Sequence, residues 1–376
     1  MKPGLGIGCV RYIESEASKA METRTLPSPP NLDLYLDHAA TTPLLPAAAQ
    51  AMAQGFAIWA NPSSPHGAGR KARAALEDAR ARVRAALDWD GEVVFTSGAS
   101  EALEIAISRC VLPLAAVGAV EHDAVLRLAG NARRLPVDAL GMVAAADCRL
   151  PGLVAVQLAN SETGVMQRWD LGEAVRGGGG LLLADCAQSA GKLLLPDADL
   201  IALSAHKFGG PIGIGALLVR DWAMLKPSGG QERGYRGGTE NLPGALAMAA
   251  ALEADRGWLE EAVRLRHLLD DAIIAAGGVS IADDAARVPT VAAYRMPGKP
   301  ANAQLITFDA QGIAVSAGSA CSSGSLKTSH VLAAMGMDPK AASEVIRVSL
   351  GRETTEADVG RFIAAWTALA DGRRAA

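Results

Sequence analysis

The sequence predicts an α/β protein with a large domain, whose mostly parallel sheet is flanked by helices, and a smaller α/β domain. From Leu34 onward, short apolar runs alternate with amphipathic stretches, a pattern typical of chains that form parallel sheets. Polar residues directly follow several of these runs, which is where a ligand site at the carboxyl ends of strands needs them. The length of 376 residues, half of them hydrophobic, is enough for one large and one smaller domain.

The chain begins with a segment, residues 1–31, that we expect to be a disordered extension. Charged residues from Arg11 onward interrupt any apolar core of a signal peptide, and three prolines break the chain near the end of this segment. We place the large domain at residues 45–245. The small domain then comprises residues 32–44 together with 246–376.

Periodicity predicts the elements of the large domain. The segment His66–Leu87 is predicted to be a helix, because Leu76, Val83 and Leu87 fall on one face. Short β-prone or apolar runs predict buried strands, and these are Val93–Phe95, Leu153–Leu158, Leu181–Ala184, Leu200–Ser204 and Gly213–Val219.

Beyond Leu242 the apolar residues recur at helical spacing. Two helices are predicted there, Ala245–Ala254 and Trp258–Ala276. Three short apolar runs follow, Val288–Tyr294, Gln304–Phe308 and Ile313–Ser316. A strand-like run at Ile346–Leu350 and a final helix then close the chain.

Charge and cysteine content exclude several classes of protein. The formal net charge of −4 provides no global field that favours nucleic acid or an anionic membrane, and no apolar run is long enough to span a bilayer. The five cysteines are widely spaced and contain no Cys-x-x-Cys pair, so we expect neither a disulfide framework nor a metal site. A reducing cytoplasm is the expected compartment.

A lysine between two apolar runs, Lys207, is the first candidate for chemistry. It stands among small residues in Ser204–Gly210, and lysine is rarely buried without a partner. Such a lysine can form a Schiff base with an aldehyde cofactor. A lysine on a surface turn explains the same residues equally well.

An aspartate at a strand end, Asp185, is the second candidate. It precedes Lys207 by 22 residues and directly follows the predicted strand Leu181–Ala184. A pyridoxal cofactor needs a carboxylate against its ring nitrogen. The alternative is that Asp185 caps the next helix.

A turn rich in small residues, Thr96–Glu101, follows another predicted strand. Hydroxyl groups and free N–H groups at a helix N-terminus can hold a phosphate. The alternative is a plain helix cap by Ser97 or Ser100. His122 follows a short apolar run, and its imidazole could stack on an aromatic cofactor, or it could simply be a capped or surface histidine.

One cysteine, Cys321, differs from the others in its surroundings. It lies in a Gly/Ser-rich stretch, Ser316–Ser325, which suggests an exposed nucleophile on a mobile loop. The remaining cysteines stand in apolar or unremarkable contexts, and we expect them to be inert. These are Cys9, Cys110, Cys148 and Cys186.

Taken in order, these strings resemble the cysteine desulfurases, which are class-V aminotransferase relatives among the fold-type I pyridoxal-phosphate enzymes. The resemblance runs from Leu34 to about Val359. The matching strings include Tyr35–Pro43, Phe95–Glu101, Glu121-His122, Ala159–Gly164, Asp185–Ser189, Ser204–Lys207, Gly238–Asn241, Ser316–Gly324 and Arg347–Thr354. One departure is the phosphate turn, which has Ala99-Ser100 where the family usually has Ala-Thr.

The resemblance implies pyridoxal 5'-phosphate as cofactor and L-cysteine as substrate. Lys207 would hold the cofactor and act as the acid/base at the substrate Cα, and Cys321 would receive the sulfur as a persulfide. His122 would stack on the ring, and Arg347 would bind the substrate carboxylate together with Asn160. The remaining cofactor contacts would come from Asp185, Gln188, Ala99, Ser100, Asn160, Ser204, His206 and Thr239, the last of these across a homodimer interface.

The resemblance also implies a sulfur-acceptor protein, either an iron–sulfur scaffold or a tRNA-thiolation protein. The sequence does not choose between these acceptors, nor between cysteine and selenocysteine. A class-V aminotransferase has no need for a loop centred on Cys321. A silent sulfur carrier is disfavoured by the intact set of Lys207, Asp185 and His122.

Overall fold

The computed structural model describes residues 34–317 and 329–372. The extension 1–31 and Cys321 lie outside these residues. The strands are β1 (Leu34–Tyr35), β2 (Glu92–Thr96), β3 (Leu114–Gly118), β4 (Arg133–Leu135), β5 (Gly152–Ala155), β6 (Gly180–Asp185), β7 (Leu200–Ser204), β8 (Gly215–Val219), β9 (Val279–Ser280), β10 (Val291–Arg295), β11 (Ile313–Ala314) and β12 (Val345–Ser349).

The helices confirm the predicted alternation of strands and helices. They are α1 (Pro46–Ile58), α2 (Gly67–Ala86), α3 (Ala99–Arg109), α4 (Asp123–Leu126), α5 (Leu171–Gly177), α6 (Leu242–Leu252), α7 (Trp258–Ala275), α8 (Ala301–Asp309), α9 (His330–Ala334), α10 (Pro339–Ala342) and α11 (Glu356–Ala370). No helix within residues 34–317 and 329–372 is long and apolar enough to cross a membrane.

A seven-stranded sheet is the centre of the fold, with strand order β2-β8-β7-β6-β5-β3-β4. The pairs from β7 to β4 are parallel, and only β8 runs antiparallel to its neighbours. Alternate residues of β7 face opposite sides, since Leu200 packs into one core and Ile201 into another. Both faces are covered by helices, which explains why these strands read as continuous apolar runs.

A second, smaller sheet has the order β12-β10-β9 and is antiparallel. Helices α7, α8 and α11 surround it, and Tyr294, Phe308 and Trp366 are fully buried between them. The short run Gln304–Phe308 lies within α8. So short a run does not distinguish a strand from a buried helix.

The first described strand joins the two ends of the chain. Strand β1 pairs in parallel with β11, and the Ser349 amide at the end of β12 donates a hydrogen bond to the Leu36 carbonyl at 2.8 Å. The turn that follows β1, residues 37–40, therefore lies between the two sheets. The domain limits at residues 45 and 245 stay a prediction.

Candidate active site

A cavity of about 930 Å³ opens at the carboxyl ends of β3, β6 and β7, beside the turn 37–40. Ligand sites occupy this edge in open α/β sheets. Most of the predicted site residues line the cavity, and these are Ala99, Ser100, His122, Asp185, Gln188, Ser204, His206, Lys207 and Arg347.

Lys207 ends the short 3-10 turn that directly follows β7, so the strand fixes its position. Its Nζ donates hydrogen bonds to the carbonyl oxygens of Ala39 at 2.6 Å and Ala40 at 2.8 Å. Burial, reinforced by the positive charge of Arg347, lowers the Lys207 pKa to about 8. The lysine therefore lies in the cavity wall, not on a surface turn, and it holds its proton only loosely.

Asp185 is the last residue of β6 and is buried. Its Oδ1 accepts a hydrogen bond from the Ala187 amide at 2.9 Å, so it closes a local turn as well as facing the cavity. Burial raises the Asp185 pKa, while the charges of His122 and Lys207 act in the opposite direction. A buried carboxylate of this kind requires a cationic partner to remain ionised.

The turn before α3 forms a cradle. Gly98 is the N-cap residue of α3, and no side chain caps the helix, so the predicted alternative of a cap by Ser97 or Ser100 is wrong. Gly98 has a φ of 156°, and a Cβ built on it would lie 3.6 Å from the Ser204 Oγ. The space between these residues adjoins the helix N-terminus, where an anion binds favourably.

His122 is a helix cap that also lines the cavity, so the predicted cap is confirmed and its stacking on a cofactor stays a prediction. Its Nδ1 accepts a hydrogen bond from the Ala124 amide at 3.1 Å, which in the neutral imidazole places the proton on Nε2. His206 lies behind the cradle, where its Nδ1 is 3.2 Å from the Thr41 Oγ1. Burial and the charge of Lys207 lower the His206 pKa to about 4.

Gln188 contributes an unpaired atom to the cavity. Its Nε2 donates to the Ala39 carbonyl at 2.9 Å, whereas its buried Oε1 has no partner among the residues that the structure describes. Buried polar atoms are nearly always paired, so this atom indicates that a bound group completes the site. Together with the acidic Asp185 and the cradle at Gly98, it fits a ring cofactor that carries a phosphate.

Two predicted residues do not reach the cavity wall. The Asn160 Oδ1 accepts hydrogen bonds from the amides of Glu162 and Thr163, both at 2.9 Å, and its Nδ2 donates to the Val120 carbonyl. This is an Asx-type turn, which draws the side chain into the backbone. Thr239 is exposed outside the cavity of its own chain.

Arg347 lies on β12 and is buried. Its NH1 donates to the Ser161 carbonyl at 2.9 Å, and its NH2 donates to the Asp37 Oδ1 at 2.7 Å. Its Nε is buried and has no partner within residues 34–317 and 329–372. A guanidinium edge with one unused donor can bind a carboxylate.

The carboxylates in the cavity wall that were not predicted to have a role include Asp37, Glu121 and Glu162. Burial raises the Glu121 pKa well above its ordinary value, and the nearby negative charge of Asp185 adds to this effect. Burial also raises the Glu162 pKa, and the Glu162 Oε2 accepts a hydrogen bond from the Ser329 hydroxyl at 2.6 Å. All three stand in strings that match the family, which was the only signal available.

The described cysteines are buried, which supports the prediction of inert thiols. Cys110, Cys148 and Cys186 are buried and unpaired with one another. Burial raises the pKa of each, to about 11 for Cys148, so they do not supply a thiolate near neutral pH. Within the described residues there is also no group of His, Cys, Asp and Glu that could hold a metal ion.

Comparisons with known proteins agree with this geometry. The aminotransferase class-V family matches residues 34–362. A cysteine desulfurase of Cereibacter sphaeroides is 36% identical, with 91% of this chain and 97% of that protein covered. An IscS-like cysteine desulfurase of Mycobacterium tuberculosis is also 36% identical, over 91% of this chain and 98% of its own.

Solved structures show the same fold. A NifS-like protein from Rickettsia africae has a TM-score of 0.80 at 26% identity and covers 90% of this chain and 99% of its own. A structure described as SspA in complex with cysteine has a TM-score of 0.73 at 28% identity, over 86% of this chain and all of that chain. These neighbours confirm the predicted α/β fold.

Proposed function

Since the chain belongs to the aminotransferase class-V family, and is a pyridoxal-phosphate-dependent cysteine desulfurase within it, we propose that Lys207 and Cys321 carry its two reactive functions. The overall reaction converts L-cysteine and the Cys321 thiol into L-alanine and a Cys321 persulfide. The observation that carries this proposal is the single cavity that holds Lys207, Asp185, His122 and Arg347.

When bound, pyridoxal phosphate supplies an aldehyde for an amine and a ring that withdraws electrons. Asp185 would hold the protonated ring nitrogen, which would supply the cationic partner that a buried carboxylate needs to remain ionised. The cradle formed by Gly98, Ser100 and Ser204 would hold the phosphate at the N-terminus of α3.

Lys207 would hold the cofactor covalently and then move the proton from the substrate Cα. A pKa of about 8 supports this role, because an amine that titrates near neutral pH can both release and accept a proton. His122 lies in the same wall with its Nε2 proton available to a cofactor or substrate atom. Arg347 would bind the substrate α-carboxylate.

Cys321 would attack the substrate Sγ as a thiolate. The S–S bond of the persulfide forms while the carbon–sulfur bond breaks, and the carbon takes up a proton to give alanine. Cys321 is the candidate because the three cysteines that the structure describes, Cys110, Cys148 and Cys186, are buried thiols of raised pKa. The persulfide would then pass to a cytoplasmic acceptor, either an iron–sulfur scaffold or a tRNA-thiolation protein.

A homodimer would complete the site. Three large apolar side chains are strongly exposed: Phe56 on α1 at 62%, Trp59 at the C-cap of α1 at 81%, and Ile212 at 78%. Ile212 itself lines the cavity. An exposed apolar surface of this kind favours association, and Thr239 would then reach the phosphate of the partner subunit.

The test is to mix the purified holoenzyme with L-cysteine and a thiol reductant and to measure sulfide and alanine. Cys321→Ala is expected to keep its cofactor absorbance and to form no persulfide, whereas Cys9→Ser is expected to behave as the wild type. Equal sulfide release from Cys321→Ala would refute the role of Cys321. Lys207→Ala is expected to lose the borohydride-reducible link to the cofactor, and a link that persists there would contradict the role of Lys207.

A further inference from the structure

The ion pair between Asp37 and Arg347 joins residues 310 positions apart and lies inside the cavity. The Arg347 side chain is 8% exposed and the Asp37 side chain 21% exposed. The two charges therefore meet in a partly desolvated place, where an ion pair is screened much less than on the surface.

Asp37 occupies one of the two donors on the edge of the Arg347 guanidinium that can bind a carboxylate. The Arg347 NH2 donates to Asp37, and Nε, the other donor of the same edge, has no partner among the described residues. A carboxylate ligand usually takes both donors of such an edge. A substrate carboxylate that binds there must take the NH2 donor from Asp37 or share it.

The position of Asp37 relative to Lys207 supplies the second part of the argument. Asp37 lies two residues before Ala39, whose carbonyl accepts a hydrogen bond from the Lys207 Nζ. The charge of Asp37 also acts on Lys207. A negative charge is thus held against the carboxylate-binding arginine, close enough to act on the amine that the substrate amine must replace.

An α-amino acid carries its carboxylate and its ammonium on the same carbon, so a receptor for it needs an arginine and an acid side by side. We propose that Asp37 and Arg347 form such a receptor, in which Arg347 binds the α-carboxylate and Asp37 binds the α-ammonium of the incoming substrate. The two residues pair with each other until the zwitterion takes the place of that pair. This inference rests on the proposed function of Arg347.

A purely structural role for Asp37, as a tether for Arg347, leads to a different expectation. If Asp37 only holds Arg347 in place, its loss weakens the binding of every carboxylate ligand. If Asp37 binds the ammonium, its loss weakens the binding of the zwitterion. The same loss strengthens the binding of a carboxylate ligand that lacks the ammonium, because the charged competitor for the Arg347 NH2 donor has gone. The sign of the second effect separates the two roles.

The experiment compares L-cysteine with 3-mercaptopropionate, which keeps the thiol and the carboxylate but has no amine. For Asp37→Asn holoenzyme, we expect KM for cysteine to rise about tenfold with kcat changed less, since a hydrogen bond between charged groups is lost. The inhibition constant of 3-mercaptopropionate is expected to fall roughly 3- to 10-fold, and calorimetric titration of the same ligand gives a readout that does not depend on turnover.

Asp147→Asn is the matched control, because it removes an Asp–Arg pair of similar geometry, 3.0 Å to Arg133, outside the cavity. It is expected to change neither constant, and Asp37→Ser serves in place of Asp37→Asn if the latter does not fold. Weaker binding of both ligands, tighter binding of both, or no change in either would overturn the proposal. Absence of cysteine turnover in the wild type would instead refute the proposed function.

Discussion

Replacement of Glu121 by glutamine tests the electrostatics of the cavity floor. The Glu121 side chain has no solvent exposure, and its Oε1 accepts a hydrogen bond from the Gln157 amide at 2.9 Å. Its Oε2 is buried without a partner in residues 34–317 and 329–372. Burial raises the Glu121 pKa well above the ordinary value of 4.5, so the folded protein keeps this carboxyl protonated where the unfolded chain does not.

The sign of the pH effect follows from that difference. A raised folded pKa means that the folded state binds the proton more tightly, so the stability linked to this group is present below pH 4.5 and is lost as the pH rises. Each pH unit between the two pKa values costs about 1.4 kcal/mol. Glu121→Gln removes this cost, because the amide is always neutral and keeps the acceptor for the Gln157 amide.

The assay is the melting temperature of wild-type and Glu121→Gln holoenzyme across pH 5 to 8. We expect the melting temperature of the variant to rise relative to that of the wild type as the pH rises above 4.5, by roughly 2–3 °C per pH unit until the folded-state pKa of Glu121 is reached. The contributions of all other groups cancel in this difference because both proteins share them. Glu104→Gln, on the exposed side of α3, is the control and is expected to follow the wild type. A constant difference between Glu121→Gln and wild type over this range would refute the assignment of a protonated Glu121.

Three further predictions concern packing, the cradle and the thiols. Glu232→Gln leaves the buried Arg80 with the partly exposed Glu77 as its remaining charge partner and is expected to lower the free energy of unfolding by about 3 kcal/mol, measured by urea denaturation. Gly98→Ala is expected to weaken cofactor affinity about tenfold in a reconstitution titration, because the φ of 156° disfavours a side chain. Gly130→Ala, also at a positive φ, is the control and is expected to leave cofactor affinity unchanged. The three buried cysteines are expected to resist iodoacetamide at pH 8 until the protein is unfolded, and peptide mass spectrometry would show any earlier labelling.

The sequence predicts the position of a cavity residue well where that residue lies at or just after the end of a strand. Asp185 ends β6, and Lys207 ends the single turn that follows β7. The two strands therefore place both residues at the same edge of the sheet. His122 is fixed equally locally, by its own cap on α4. Local order along the chain is enough in these cases.

Prediction from the sequence is weaker where a residue depends on distant contacts. Asn160 has the side chain expected of a ligand-binding residue, but it closes its own turn, and only the surrounding backbone decides between the two outcomes. The partnership of Asp37 with Arg347 spans nearly the whole chain and leaves no local pattern. Helix α8 was not recognised from the sequence, because a short run of residues buried on one side shows no clear hydrophobic period.

The placement of β1 has a consequence for synthesis on the ribosome. Residues 34–40 are among the first of the described chain to emerge, yet β1 pairs with β11, and the Ala39 amide donates to the Ser349 hydroxyl at 2.9 Å. The carbonyls that receive the Lys207 amine therefore gain their final support only after about 350 residues have been translated. A chain that ends before β12 lacks the Ser349 contacts that hold this turn, so we expect the cofactor to load only after β12 has been synthesised.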